Sequence, residues 1–162
     1  MIEIRQAAGG GYRLEGLAMV YGDRASVYGQ AEQFEPGSIE FAPSLMLNAQ
    51  HDRGRPLARY PGGGLALADG SESARIAADL PATTLARDTY ELVRAGVLTG
   101  LSVEFRAERE RLDAGVRVIE RALLTGLGVV DEPAYKLSRI EARGAERRLA
   151  ETYAPRRRHF FL

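Results

Sequence analysis

Leu98-Thr-Gly-Leu-Ser-Val-Glu-Phe-Arg106 decides how this chain is read. From Leu101 onward the residues alternate, with Leu101, Val103 and Phe105 on one side and Ser102, Glu104 and Arg106 on the other. Period-2 alternation belongs to a half-buried β-strand. Two readings of the polar side are open: an ordinary solvated face, or a rigid strand carrying Ser102 as a nucleophile. The second needs a base, and the upstream run Leu47-Asn-Ala-Gln-His-Asp52 offers His51.

Working outward, the stretch before Ser102 changes period at Leu80-Pro-Ala-Thr-Thr84. Leu85, Leu92 and Val93 fall on one helical stripe, Thr84 is placed as N-cap, and Gly96 stands where a terminal glycine belongs. A helix is expected over Thr83 to Ala95. Beyond Ser102 the strand is expected to run to about Leu112. Asp113-Ala-Gly115 has hairpin chemistry, and Val116 to Leu124 pairs back. Gly126-Leu-Gly128 is expected to break that strand, Val129-Val130 to resume it, and Asp131-Glu-Pro-Ala-Tyr135 to close it.

Toward the N-terminus, Ile2 to Gln6 and Tyr12 to Tyr21 read as a hairpin across Gly9-Gly-Gly11. Phe34-Glu-Pro-Gly-Ser38 is a turn, Ile39 to Phe41 is too short to assign, and Ser44 to Gln50 fits a strand or a helical turn. Leu57 to Tyr60, Leu65 to Ala68 and Ser73 to Asp79 read as further strands. The expected class is α+β, mainly β: a small open or closed β-barrel with one or two packed helices.

The chain has 162 residues, which suits one domain with its own core. Acidic and basic residues balance at 22 each, so the whole chain carries no electrostatic footprint for nucleic acid. Cysteine is absent, excluding disulfides and thiolate-held metals. His51 and His159 are the only histidines and stand at no metal-ligand spacing. The Gly9-Gly-Gly11 and Gly62-Gly-Gly64 runs lack the residues of a phosphate loop. No apolar run approaches the roughly 18 residues of a membrane span, and the Met-Ile-Glu-Ile-Arg start lacks the apolar core of a signal peptide. The tail from Lys136 to Leu162 carries eight Lys or Arg against three Glu, and Leu137 to Thr152 is at best a polar helix. Domain boundaries are therefore set at residues 1–140, followed by a basic tail over 141–162, partly helical or disordered.

Several segments, in one order, resemble the prohead (capsid maturation) proteases of tailed bacteriophages, serine peptidases related in fold to herpesvirus assemblin. Leu14-Glu-Gly-Leu-Ala-Met-Val-Tyr21 resembles the opening strand, and Phe34-Glu-Pro-Gly-Ser-Ile-Glu-Phe41 the Pro-Gly-x-Phe turn. Leu47-Asn-Ala-Gln-His-Asp52 resembles the Asn-His-Asp segment, with Gln50 in place of the Asn. Leu80 to Gly96 is similar to the helix before the nucleophile, Gly100-Leu-Ser-Val-Glu-Phe105 to the nucleophile strand, and Val130-Asp-Glu-Pro-Ala-Tyr135 to the closing Pro-Ala motif.

The resemblance implies an assemblin-like fold and a serine endopeptidase that cleaves scaffold and capsid-protein segments, and itself, during procapsid maturation. Ser102 would be the nucleophile and His51 the base. The family's third residue is a Glu shortly before the Pro-Ala motif, and ungapped alignment on Pro133 puts Gly126 there. Glu120, three steps of two residues earlier, is the first substitute; Asp131, Glu104 or no carboxylate are the alternatives. Backbone N–H groups around Gly126 to Gly128 are expected to hold the oxyanion. No cofactor and no metal are implied. The expected partners are the major capsid protein with its scaffold segment and a second copy of the chain, with no membrane. Nucleic acid would be met only through the basic tail. The expected location is the host bacterial cytoplasm, inside the assembling procapsid. The alternative from another class is a non-catalytic β-barrel scaffold or capsid-assembly module that retains the protease fold.

Overall fold

A computed structural model describes residues 11–143. Ten strands and one helix follow in the order β1 (Tyr12–Val20), β2 (Ala25–Val27), β3 (Gln30–Phe34), β4 (Ile39–Ala49), β5 (Pro56–Tyr60), β6 (Leu65–Asp69), β7 (Ser73–Leu80), α1 (Thr84–Ala95), β8 (Gly100–Asp113), β9 (Val116–Val130) and β10 (Arg139–Arg143). Four strands form one sheet in the order β10-β1-β7-β6. The other sheet runs β2-β3-β9-β4-β5, with β8 paired to β9. The class is α+β and mainly β, as expected, but the strands form two sheets that do not close into a barrel.

The core lies between the apolar faces of the sheets. Leu14, Ile76 and Ala78 come from the four-stranded sheet; Leu47, Leu101, Leu127 and Val129 come from the other. Phe34 is fully buried, with its ring edge-on to Phe105 at 4.8 Å and to Tyr135 at 5.6 Å between centroids. Glu32 is also buried, and its two carboxylate oxygens accept from Tyr135 Oη and Arg117 Nη1. A buried carboxylate is tolerable only when paired in this way.

The helix forms one residue later than expected. Thr83, not Thr84, is the N-cap, and its hydroxyl accepts from Ala86 N. Gly96 ends α1 in the left-handed conformation at φ 67°, where a side chain would be strained. The chain then enters β8 at Gly100. A Cβ on Gly100 would lie 2.4 to 2.9 Å from the Pro133 ring, so two segments distant in sequence meet at the start of the Ser102 strand.

Three other expectations change. The unassigned Ile39–Phe41 and the ambiguous Ser44–Gln50 are one strand, β4, whose ladder to β9 slips between Phe41 and Met46 around Pro43. Proline has no N–H for a ladder, which is why the local pattern breaks there. Gly126 and Gly128 do not interrupt β9, which runs unbroken from Val116 to Val130. Residues 139–143 are a strand paired with β1 rather than part of a helix. The Ile2–Gln6 strand, the rest of the tail and His159 lie outside the described residues. Among the described residues no helix is long and apolar enough to cross a membrane.

Candidate functional site

β9 is the central strand on which the site is assembled. On one edge it pairs with β8, with Ser102 opposite Gly128 and Glu104 opposite Gly126. On the other edge it pairs with β4, with Asn48 opposite Gly128 and Met46 opposite Gly126. Directly opposed residues point to the same face. Leu47, Leu101, Leu127 and Val129 occupy the core face, so Ser102, Glu104 and both glycines belong to the opposite one.

His51 reaches that face by a tight turn at the end of β4. Gln50 N donates to Val129 O, Asp52 N donates to Ala49 O, and Gln50 and His51 both take positive φ, 53° and 57°. Two successive left-handed non-glycine residues cost on the order of 1 kcal/mol each. The Asp52 carboxylate, accepting from Gly54 N, continues the turn. The result folds the imidazole back over β9. A Cβ on Gly128 would lie 2.8 Å from His51 Nδ1 and Cε1 and 2.9 Å from Cγ. The ring therefore fills the space that any other residue at 128 would need. Opposed residues are neighbours on one face of a sheet, so the ring stands over the rung that carries Ser102.

His51 Nδ1 is 2.9 Å from Glu104 Oε1, with the two side chains 30% and 37% exposed. Glu104 lies over the second glycine, since a Cβ on Gly126 would be 2.7 Å from Oε2. With Nδ1–H donating to the carboxylate, Nε2 is left as the acceptor. A serine, an imidazole and a carboxylate thus share one face within two rungs of one ladder.

Glu120, the first substitute for the third position, is not brought to His51. It lies eight residues before Gly128, roughly 26 Å along an extended strand, and its carboxylate accepts from Arg109 and Arg111. The period-2 count that linked it to Gly126 runs through three register shifts, at Glu104/Phe105, Ala107/Arg109 and Arg109/Glu110. Asp131 is engaged by Glu132 N. The carboxylate at His51 is Glu104, and its signal in the sequence was its position two residues after Ser102 on the same face. The expected oxyanion donors at Gly126 to Gly128 also fail. They sit in a strand paired on both edges, where the ladders to β4 and β8 use the backbone.

On the other side of β8 a cavity of about 230 Å³ reaches Ser102 and is walled by Val103, Phe105, Tyr135 and the buried Glu32. Burial, then the bond to Glu32, pushes the Tyr135 phenol far above its ordinary range, so it acts there as a hydrogen-bond donor. A larger cavity, about 290 Å³, lies on the four-stranded sheet between Leu17, Ala66 and Arg75 and includes none of Ser102, His51 and Glu104.

A family model described as caudovirus prohead serine protease matches residues 1–154 of the chain. No curated protein and no solved structure matches it significantly.

Proposed function

The chain belongs to the prohead serine proteases of the caudoviruses, and on that premise we propose that it is an active endopeptidase with Ser102, His51 and Glu104 as its catalytic group. Ser102 Oγ attacks the scissile carbonyl carbon while its proton passes to His51 Nε2. The imidazolium returns that proton to the leaving amine, and water then releases the acyl group by the same route. Glu104 holds the imidazole in the Nδ1–H tautomer and stabilises the cation. The observation that carries this reading is the His51–Glu104 bond at 2.9 Å over Gly126, in the rungs that contain Ser102.

Glycine at 126, where the family carries its third residue, favours a non-catalytic assembly module. That support weakens, because a carboxylate from the neighbouring strand covers this glycine. The substrates we propose are scaffold and capsid-protein segments, and the chain itself, within an assembling procapsid. Confinement suits such an enzyme, because packing with its substrates raises the effective concentration and makes modest specificity sufficient. The cavity beside Ser102 offers a place for a substrate side chain.

Co-expression with the major capsid protein of the same particle tests the proposal through the intact mass of every product. Wild type is expected to trim the capsid protein at a defined site, while Ser102→Ala and His51→Ala leave it whole. Untouched capsid protein in all three, with particles still assembling, would sink the catalytic reading.

A further inference from the structure

We infer that Asn48 is a positioning residue that stabilises protonated His51 from the side opposite Ser102. This rests on the reading of Ser102 as nucleophile and His51 as base.

Asn48 is 5% exposed, and its Oδ1 is buried without a hydrogen-bond partner among the described residues. A buried acceptor left unsatisfied destabilises the fold, so the place of Asn48 calls for a physical reason. That place is the rung of the nucleophile: Asn48, Gly128 and Ser102 lie opposite one another on β4, β9 and β8. Asn48 therefore shares the face of Ser102, one strand spacing from Gly128, and the His51 ring fills the space above that glycine. A spacing of about 4.8 Å is within the reach of a carboxamide extending beyond its Cβ.

Among the opposed neighbours on this face no side chain donates to Asn48: Arg59, opposite Met46, gives its Nε–H to Ser44 Oγ. Gly126 and Gly128 have no side chain, Met46 is a thioether, and Pro56, opposite Asn48 on β5, has no polar side-chain atom. The β-bulge between Leu47 and Asn48 on that edge further separates Asn48 from a regular ladder. His51 is the polar ring next to it. While the imidazole is neutral, with Nδ1–H committed to Glu104, the Asn48 carbonyl dipole gains little. Once Nε2 has taken the proton from Ser102, the ring is cationic and the same dipole stabilises it. An interaction stronger in the transition state than in the ground state accelerates the chemical step.

The test measures inactivation of the full chain by a fluorophosphonate probe, together with thermal unfolding. Asn48→Leu is expected to lower the maximal rate of Ser102 labelling about 30-fold with unchanged probe affinity. Its melting temperature should be equal or higher, because an unsatisfied acceptor is removed. Asn48→Asp keeps an acceptor in place and is expected to recover most of the labelling rate. Asn48→Ala guards against misfit of the leucine and should show the same loss of rate. Labelling of Asn48→Leu at the wild-type rate would overturn the inference and leave the protease reading intact. A fall in melting temperature for both the Leu and Ala variants, without recovery of labelling by Asp, would make Asn48 purely structural and also overturn it. If wild type is labelled no more than Ser102→Ala, the protease reading fails and takes this inference with it.

Discussion

At the far end of the β8–β9 ribbon Glu120 faces Arg109 and Arg111; at the near end Glu104 faces a glycine and an imidazole. The strands and the residue type are the same, and the surroundings differ. The far end is a ladder of exposed ion pairs, among them Arg117–Glu110, Arg121–Glu40 and Arg111–Glu35. Arg111 and Arg121 are held further toward their charged form by side-chain hydrogen bonds to Glu35 and Glu40 respectively. Such pairs contribute little each to stability. The near end has glycines on β9 where side chains would stand, and into those spaces go the His51 ring and the Glu104 carboxylate. A carboxylate becomes an orienting group or a surface charge according to what its neighbours leave open.

This contrast can be broken or sharpened in order of expected effect. Ser102→Ala is expected to lower peptide cleavage about a millionfold, as loss of a serine nucleophile does elsewhere, measured on a capsid-derived peptide. Glu104→Gln should cost about 10⁴-fold in kcat by stabilising the wrong tautomer, whereas Glu120→Gln should leave kcat within about twofold and lower stability by less than about 1 kcal/mol. Equal losses in the two glutamine variants would erase the distinction between the ends of the ribbon. Gly128→Ala puts a methyl 2.8 Å from the ring, and displacing the base by about 1 Å should cost on the order of 100-fold. The test is a crystal structure showing the ring moved beside the kinetics; unchanged kcat with the ring in place would count against the site.

The smallest effect belongs to the far tip. Ala114 takes φ 47° in the two-residue turn with Gly115, so Ala114→Gly should stabilise the protein by about 0.5–1 kcal/mol with no change in kcat. A denaturant titration giving a loss of stability would show that the turn is not strained.

Much of this site was legible in the linear chain. The alternation over Leu101 to Arg106 identifies a strand with Ser102 and Glu104 on one face, because β side chains have a period of two. The hairpin at Asp113-Ala-Gly115 and the helix ending at Gly96 follow from turn and cap chemistry. The single histidine before the tail leaves His51 as the candidate base.

What those patterns could not decide is register. Counting back from the Asp113–Val116 pair without interruption places Leu127 opposite Ser102 and Thr125 opposite Glu104. In the structure a bulge at Thr125, whose hydroxyl donates to Glu104 O, shifts β9 by one residue. That shift puts Gly126 and Gly128 opposite Glu104 and Ser102. It also lets Leu124 and Leu127, an even and an odd position, share the core face. A one-residue slip exchanges every side chain between faces, and nothing local to Thr125 announces it. The sequence by itself determined which residues could do the chemistry. Only the packing of Leu124, Leu127 and Val129 against the second sheet, which selects the bulged register, decided which of them meet.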